Sequence, residues 1–144
     1  MVNKQTSKII IYTDGGSRGN PGDSAIGVVI GKNEYGKYLG LKTNNQAEYE
    51  AVIFALSKVK QIFGAQQAKE LEIEIRSDSQ LLTNQLNGNY KIKEEKLYPL
   101  FIKIWNLKQD FKSVVFKHIS REENRQADAL VNKILNKQNL AKLF

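Results

Sequence analysis

The sequence predicts an α/β domain of mixed type, with one five-stranded mixed sheet in the order β-β-β-α-β-α-α-β-α flanked by helices. Two observations predict it. Three strand-like runs joined by turn residues open the chain, and two later strand-like runs alternate with segments of helical period. Length sets the scale: 144 residues make one ordinary domain, able to bury roughly 70% of the surface its unfolded chain exposes. No linker, repeat or low-complexity segment divides it. A single domain over 1–144 is expected, with its core at about 8–136 and a tail at 137–144.

Ile9–Thr13 is a continuous apolar run that reads as a buried strand, stopped by the turn residues Asp14-Gly15-Gly16. A Gly/Ser/Asn/Pro loop is expected through Gly22. Ala25–Ile30 reads as the second strand, and Asn33–Gly36 turns into a third at Lys37–Lys42, giving an antiparallel meander. The period then changes. Ala51, Val52, Ala55, Leu56, Val59, Ile62 and Phe63 recur at three- and four-residue steps, marking an amphipathic helix over Asn45–Phe63. Leu71–Ile75 alternates as a strand, and Ser79–Leu86 reads as a short helix closed by Asn87-Gly88. Lys96–Phe111 is helical in pattern, because Pro99 is tolerable near a first turn; Trp105 is expected in its core with Phe101 and Ile104. Ser113–Ile119 is the fifth strand and Asn124–Leu135 the last helix, after which Asn136–Phe144 is expected to fray or to pack through Leu140, Leu143 and Phe144.

Composition narrows the class. Twenty-two Lys+Arg against 15 Asp+Glu give a net charge of +7, which suits a polyanionic partner without requiring one. The absence of Cys excludes a disulfide framework and a thiolate metal site. Met1–Lys8 lacks the apolar stretch of a signal peptide, and no run approaches the length of a membrane span, so a soluble, cytoplasmic domain is expected.

Four acids stand where an apolar run ends or a helix begins: Asp14, Glu48, Asp78 and Asp128. Each has a structural explanation. Asp14 is suited to a hairpin turn, Glu48 to a capping box with Asn45, Asp78 to capping the Ser79 helix, and Asp128 to the positive end of the last helix. Periodicity points the other way for three of them. Asp14 continues the face of Ile10 and Tyr12, Glu48 shares the stripe of Val52, Ala55 and Val59, and Asp128 that of Val131 and Leu135. A buried unpaired carboxylate costs several kcal/mol or is protonated, and a divalent cation removes that cost. An all-oxygen donor set with no Cys and one His favours Mg²⁺ or Mn²⁺ over Zn²⁺.

At these residues the chain resembles the ribonuclease H type 1 family. The motifs are Tyr12–Gly22 (YTDGGSRGNPG), Thr43–Glu48 (TNNQAE), Ser77–Gln80 (SDSQ) and His118–Asp128 (HISREENRQAD), in the family's order over nearly the whole chain. The resemblance implies a ribonuclease H-like fold and an endoribonuclease that hydrolyses the RNA strand of RNA–DNA hybrids, leaving 5′-phosphate and 3′-hydroxyl ends. It implies two Mg²⁺ ions, with Mn²⁺ able to substitute, held by Asp14, Glu48, Asp78 and Asp128 astride the scissile phosphate.

Other positions carry over in the same way. Ser17, Gly19, Asn20, Asn44 and Gln80 match contacts to the RNA strand, and Thr43 and Asn45 match a pocket for a DNA-strand phosphate. Loop and capping roles remain open for these residues. His118 matches a histidine that assists proton transfer or product release, a task Arg121 or Glu122 could take instead. One segment departs from many bacterial relatives: Asn87–Lys96 is short and mixed in charge where they carry a basic helical protrusion. Tyr90, Lys91 and Lys93 are there to touch the DNA backbone or to form a solvated turn. The expected partner is the hybrid itself, bound by a monomer. The alternatives are another nuclease of the same fold, such as a junction resolvase, and a hybrid-binding protein without turnover.

Overall fold

A computed structural model describes residues 8–144; the expectation of no signal peptide falls mainly on residues 1–7, outside the described residues. Strands β1 (Lys8–Gly19), β2 (Gly22–Ile30) and β3 (Asn33–Lys42) form the antiparallel meander. Strands β4 (Glu72–Ser77) and β5 (Ser113–His118) add to it in parallel, giving the order β3-β2-β1-β4-β5. The crossover before β4 is α1 (Asn44–Phe63) followed by a four-residue turn of helix, α2 (Ala65–Ala68). Between β4 and β5 lie α3 (Gln80–Leu86), a 3-10 turn at Glu95–Leu97 and α4 (Tyr98–Lys108); α5 (Arg125–Ala141) ends the fold. This is the expected mixed five-stranded sheet, with α2 as an addition too short to leave a periodic signal.

The main core lies where α1 and α4 meet the sheet. Ile11, Ile73 and Ile75 point up from the central strands, and Val52, Leu56 and Val59 come down from α1, all at 1% exposure or less. The opposite sheet face is covered by α5 only over β1, β2 and β3, through Ala25, Val131 and Leu135. That partial cover explains why Ile10, on the Asp14 face of β1, is 36% exposed while its neighbour Ile11 is sealed. Among the described residues no helix is long and apolar enough to cross a membrane.

Several expectations are corrected. The loop through Gly22 is instead a continuation of β1 and β2, whose pairing runs to Gly19 opposite Gly22, leaving Asn20-Pro21 as the two-residue turn with a cis peptide. Polar, glycine-rich composition hid a ladder whose hydrogen bonds are backbone bonds. Strand β3 begins at Asn33, four residues before its expected start. The helix over Lys96–Phe111 shortens to Tyr98–Lys108, with Pro99 in its first turn, where a missing N–H costs nothing. Trp105 is 54% exposed rather than core. Leu97 and Ile104 take the inward face of that segment, and the next residue stands about 100° round the helix. The last helix runs past Leu135 to Ala141, and Leu140, Leu143 and Phe144 remain exposed rather than packing.

Candidate active site

Two glycines bring the acids together. A Cβ on Gly15 would lie 2.3 Å from the Ala47 carbonyl carbon and 2.5 Å from the Glu48 nitrogen, so only glycine lets the start of α1 rest on β1. Gly27, paired with Asp14 across β1 and β2, plays the same part for α5: a Cβ there would lie 2.2 Å from the Ala127 carbonyl oxygen. Ala47 and Ala127, both fully buried, are the small residues on the helix side of each contact. Each close approach thus falls next to an acid, Glu48 in α1 and Asp128 in α5. The Gly-Gly pair that read as a turn is a landing for a helix.

Asp14, Glu48, Asp78 and Asp128, from β1, α1, the bend after β4 and α5, line one open cavity of about 250 Å³ with Ser17, Asn44 and Arg121 among its other walls. The capping explanations fail for two of them. Thr43 caps α1 in a box with Gln46, not Asn45 with Glu48, and Ser79 caps α3 through the Leu82 amide, leaving Asp78 in the bend before it. Asp128 does sit in the first turn of α5, yet its side chain is exposed at the cavity rather than buried in the helix stripe.

The electrostatics follow from crowding. Burial, then the charges of Asp78, Asp128 and Glu48, push the Asp14 carboxyl up to about 8, and Asp128 lies within hydrogen-bond reach of it. Burial pushes Glu48 up to about 7, with Asp78 adding repulsion against a relieving hydrogen bond from Ser79. Asp78 is raised mainly by burial; Arg121 and, more weakly, His118 pull it back. Asp14 and Glu48 thus hold protons where ordinary carboxylates would be ionised, the condition a divalent cation would reverse. The donors are all hard oxygens, which fits Mg²⁺ or Mn²⁺. Among the described residues no three His, Asp or Glu side chains already close on one point as a finished cage does, so the fit is one of charge and donor chemistry.

Asn124 lies inside the His118–Asp128 motif, where nothing in the sequence singles it out. Fully buried just before α5, it donates from Nδ2 to the Thr13 carbonyl at 2.9 Å, while its own carbonyl accepts from the Asp128 amide at 3.1 Å. It therefore ties the strand of Asp14 to the helix of Asp128. Among the described residues its Oδ1 has no hydrogen-bond partner. An asparagine four residues before an acid at a helix start was the available signal, and polar neighbours on both sides masked it.

The chain's relatives identify it. The family model described as reverse transcriptase-like matches residues 12–134. A ribonuclease H1 isolated from compost by a metagenomic approach is 45% identical, with a TM-score of 0.85 over 92% of this chain and 99% of that one. The chain belongs to the ribonuclease H type 1 family. The same compost protein has been solved in complex with an RNA/DNA hybrid, at 46% identity and a TM-score of 0.84 over 90% of this chain and 98% of that one. Ribonuclease HI of Halobacterium salinarum is 37% identical over 90% of this chain. The chain spans 65% of that relative's length, and 35% of a bifunctional Mycobacterium tuberculosis protein to which it is 33% identical.

The other residues matched to ribonuclease H motifs fall into three groups. Ser17, Asn20 and Asn44 form one cluster: the Ser17 amide donates to Asn44 Oδ1 at 3.3 Å, and the Asn44 amide donates to Asn20 Oδ1 at 3.0 Å. Gly19, at a φ of 107°, completes the hairpin tip and accepts from the Ser17 hydroxyl at 2.6 Å. Gln80 is exposed at the start of α3, outside the cavity lining. Thr43 is occupied as the α1 cap, and Asn45 donates to Glu94 at 2.6 Å. His118, last in β5, and Glu122, in the turn beyond, are both exposed and neither lines the cavity; Arg121 does.

Proposed function

We propose that this chain is an endoribonuclease that hydrolyses the RNA strand of RNA–DNA hybrids, acting as a monomer in the cytoplasm. The carrying observation is the convergence of four carboxylates from four separate elements on one cavity, in which Asp14 and Glu48 hold their protons well above the usual carboxylate range. The hybrid-bound relative at 46% identity supports the substrate. Asp14, Glu48, Asp78 and Asp128 would hold the Mg²⁺ ions, with Mn²⁺ as a substitute. Bound there, divalent cations supply an activated water and charge neutralisation at the scissile phosphate, giving 5′-phosphate and 3′-hydroxyl ends.

The chain's own residues do the rest. Ser17, Gly19, Asn20 and Asn44 present short polar groups and backbone beside the acids, which suits the shallow minor groove and 2′-hydroxyls of the RNA strand. Gln80 flanks them from α3. Thr43 and Asn45 receive a DNA-strand phosphate, and the net charge of +7 draws the duplex in. Arg121 favours the ionised form of Asp78 and is the group best set to move with the departing product; His118 assists from the edge.

End-labelled RNA–DNA hybrid, RNA duplex, DNA duplex and four-way junction, each with Mg²⁺ or EDTA, test this beside Asp78→Asn. Metal-dependent cleavage of the hybrid alone, lost in the variant, is expected. Junction cleavage would favour a resolvase, and tight binding without cutting would leave a hybrid-binding protein.

A further inference from the structure

Residues 89–94 lie beside α3 and reach the start of α1 as an irregular segment anchored from below. The buried Tyr49 hydroxyl donates to Gln85 Oε1 at 2.6 Å, and Gln85 Nε2 donates to the Lys91 carbonyl at 3.2 Å. Between the segment and α3 runs a groove of about 510 Å³, lined in part by Tyr90, Lys91, Lys93 and Glu94. Two lysines and a tyrosine suit a nucleic-acid backbone. Glu94 does not.

The Glu94 carboxylate accepts a hydrogen bond from the Asn45 side-chain amide at 2.6 Å, short for an N–H···O contact and in the range of charge-assisted bonds. Among the described residues Glu94 forms no ion pair, although Lys91 and Lys93 line the same groove. Its charge is left standing. The Tyr49 hydroxyl registers it, held high by burial first and by Glu94 next. An exposed glutamate thus keeps its carboxylate on a donor of α1 instead of on a nearby ammonium group.

We propose that Glu94 is a built-in competitor for the DNA strand: it occupies the Asn45 amide in the free protein and has to be displaced before a backbone phosphate takes that donor. This rests on the reading above, in which Thr43 and Asn45 receive a DNA-strand phosphate. A carboxylate and a phosphodiester cannot share one amide without like-charge repulsion, which at an exposed site is worth about 5-fold in affinity. Once released, Glu94 has Lys91 and Lys93 beside it to receive its charge. Glu94 thereby raises the KM for every duplex that must place a phosphate at Asn45.

The test is steady-state kinetics of the full chain on the hybrid with Mg²⁺, comparing wild type, Glu94→Gln, Asn45→Ala and the double variant, each checked by thermal melting. Glu94→Gln should lower KM about 3- to 10-fold with kcat unchanged. It should also steepen the salt dependence of kcat/KM by about one phosphate contact. The gain should vanish in the Asn45→Ala background, and on a hybrid whose DNA strand carries a neutral methylphosphonate at one position, found by scanning. An unchanged or raised KM in Glu94→Gln overturns the proposal. So does an equal gain with and without Asn45, which would be a general charge effect. Wild type that leaves the hybrid uncut takes down the reading of the site and this inference together; wild type that cuts it leaves the KM comparison to decide the role of Glu94 alone.

Discussion

Replacing Asp14 by asparagine should stabilise the metal-free protein at alkaline pH while abolishing its activity. In the folded chain Asp14 ionises only near 8, against 3.8 for the free side chain. The folded state therefore binds a proton that the unfolded state gives up, and stability falls as pH rises. The penalty is absent below about pH 4, grows through the interval, and is complete above the folded value. Each pKa unit carries about 1.4 kcal/mol, which sets a ceiling of about 6 kcal/mol. Residual exposure of the side chain and relaxation of its neighbours bring the working figure to about 1–3 kcal/mol. Asparagine is close in shape and never charges. In EDTA at pH 8.5 its melting temperature should exceed wild type by about 3–10 °C, with the gap closing by pH 4. Added Mg²⁺ should reverse the order, because only wild type gains full cation binding. Differential scanning calorimetry across that pH range measures it. An asparagine variant no more stable than wild type at pH 8.5, or a gap that ignores pH, would refute the electrostatic account of the site.

Other expectations follow from particular contacts. Gly15→Ala forces a methyl group into the α1 backbone and should cost about 1–3 kcal/mol of stability, with activity falling further than stability alone explains, measured by urea unfolding beside hybrid cleavage. Asn124→Ala leaves the Thr13 carbonyl buried without its donor and should cost about 1–3 kcal/mol by the same unfolding assay. His118→Ala is expected to lower turnover about 10- to 100-fold with hybrid affinity kept. An unchanged rate there, with the loss appearing in Arg121→Ala, would assign the task to Arg121. Trp105→Ser should shift the melting temperature far less than a core tryptophan would, by the equivalent of about 1 kcal/mol.

The mixed five-stranded sheet was legible because four of its strands carry an apolar or alternating run and its crossovers a helical period; the order β3-β2-β1-β4-β5 was not. The acids were legible as a set only through the motifs around them; parity placed Asp14, Glu48 and Asp128 on particular faces but not in one cavity. What hid was what depends on two distant backbones meeting. Gly15 and Gly27 carry the same letter whether they turn a chain or admit a helix, and only the approach of Ala47 and Ala127 tells the two apart. The hairpin over residues 15–22 hid because its ladder uses backbone groups that composition does not report. Trp105 misled because size argues for burial while one step round a helix decides exposure. The Thr43–Gln46 box hid behind Asn45 and Glu48, two residues later and equally plausible on spacing.

The most direct test of the site is anomalous diffraction from crystals of this chain grown with hybrid and Mn²⁺, using Asp78→Asn to prevent cleavage. The expected result is a cation about 2 Å from carboxylate oxygens of Asp14 and at least one of Glu48 and Asp128, at the scissile phosphate. Anomalous peaks elsewhere, with these side chains turned away from a bound RNA strand, would contradict it.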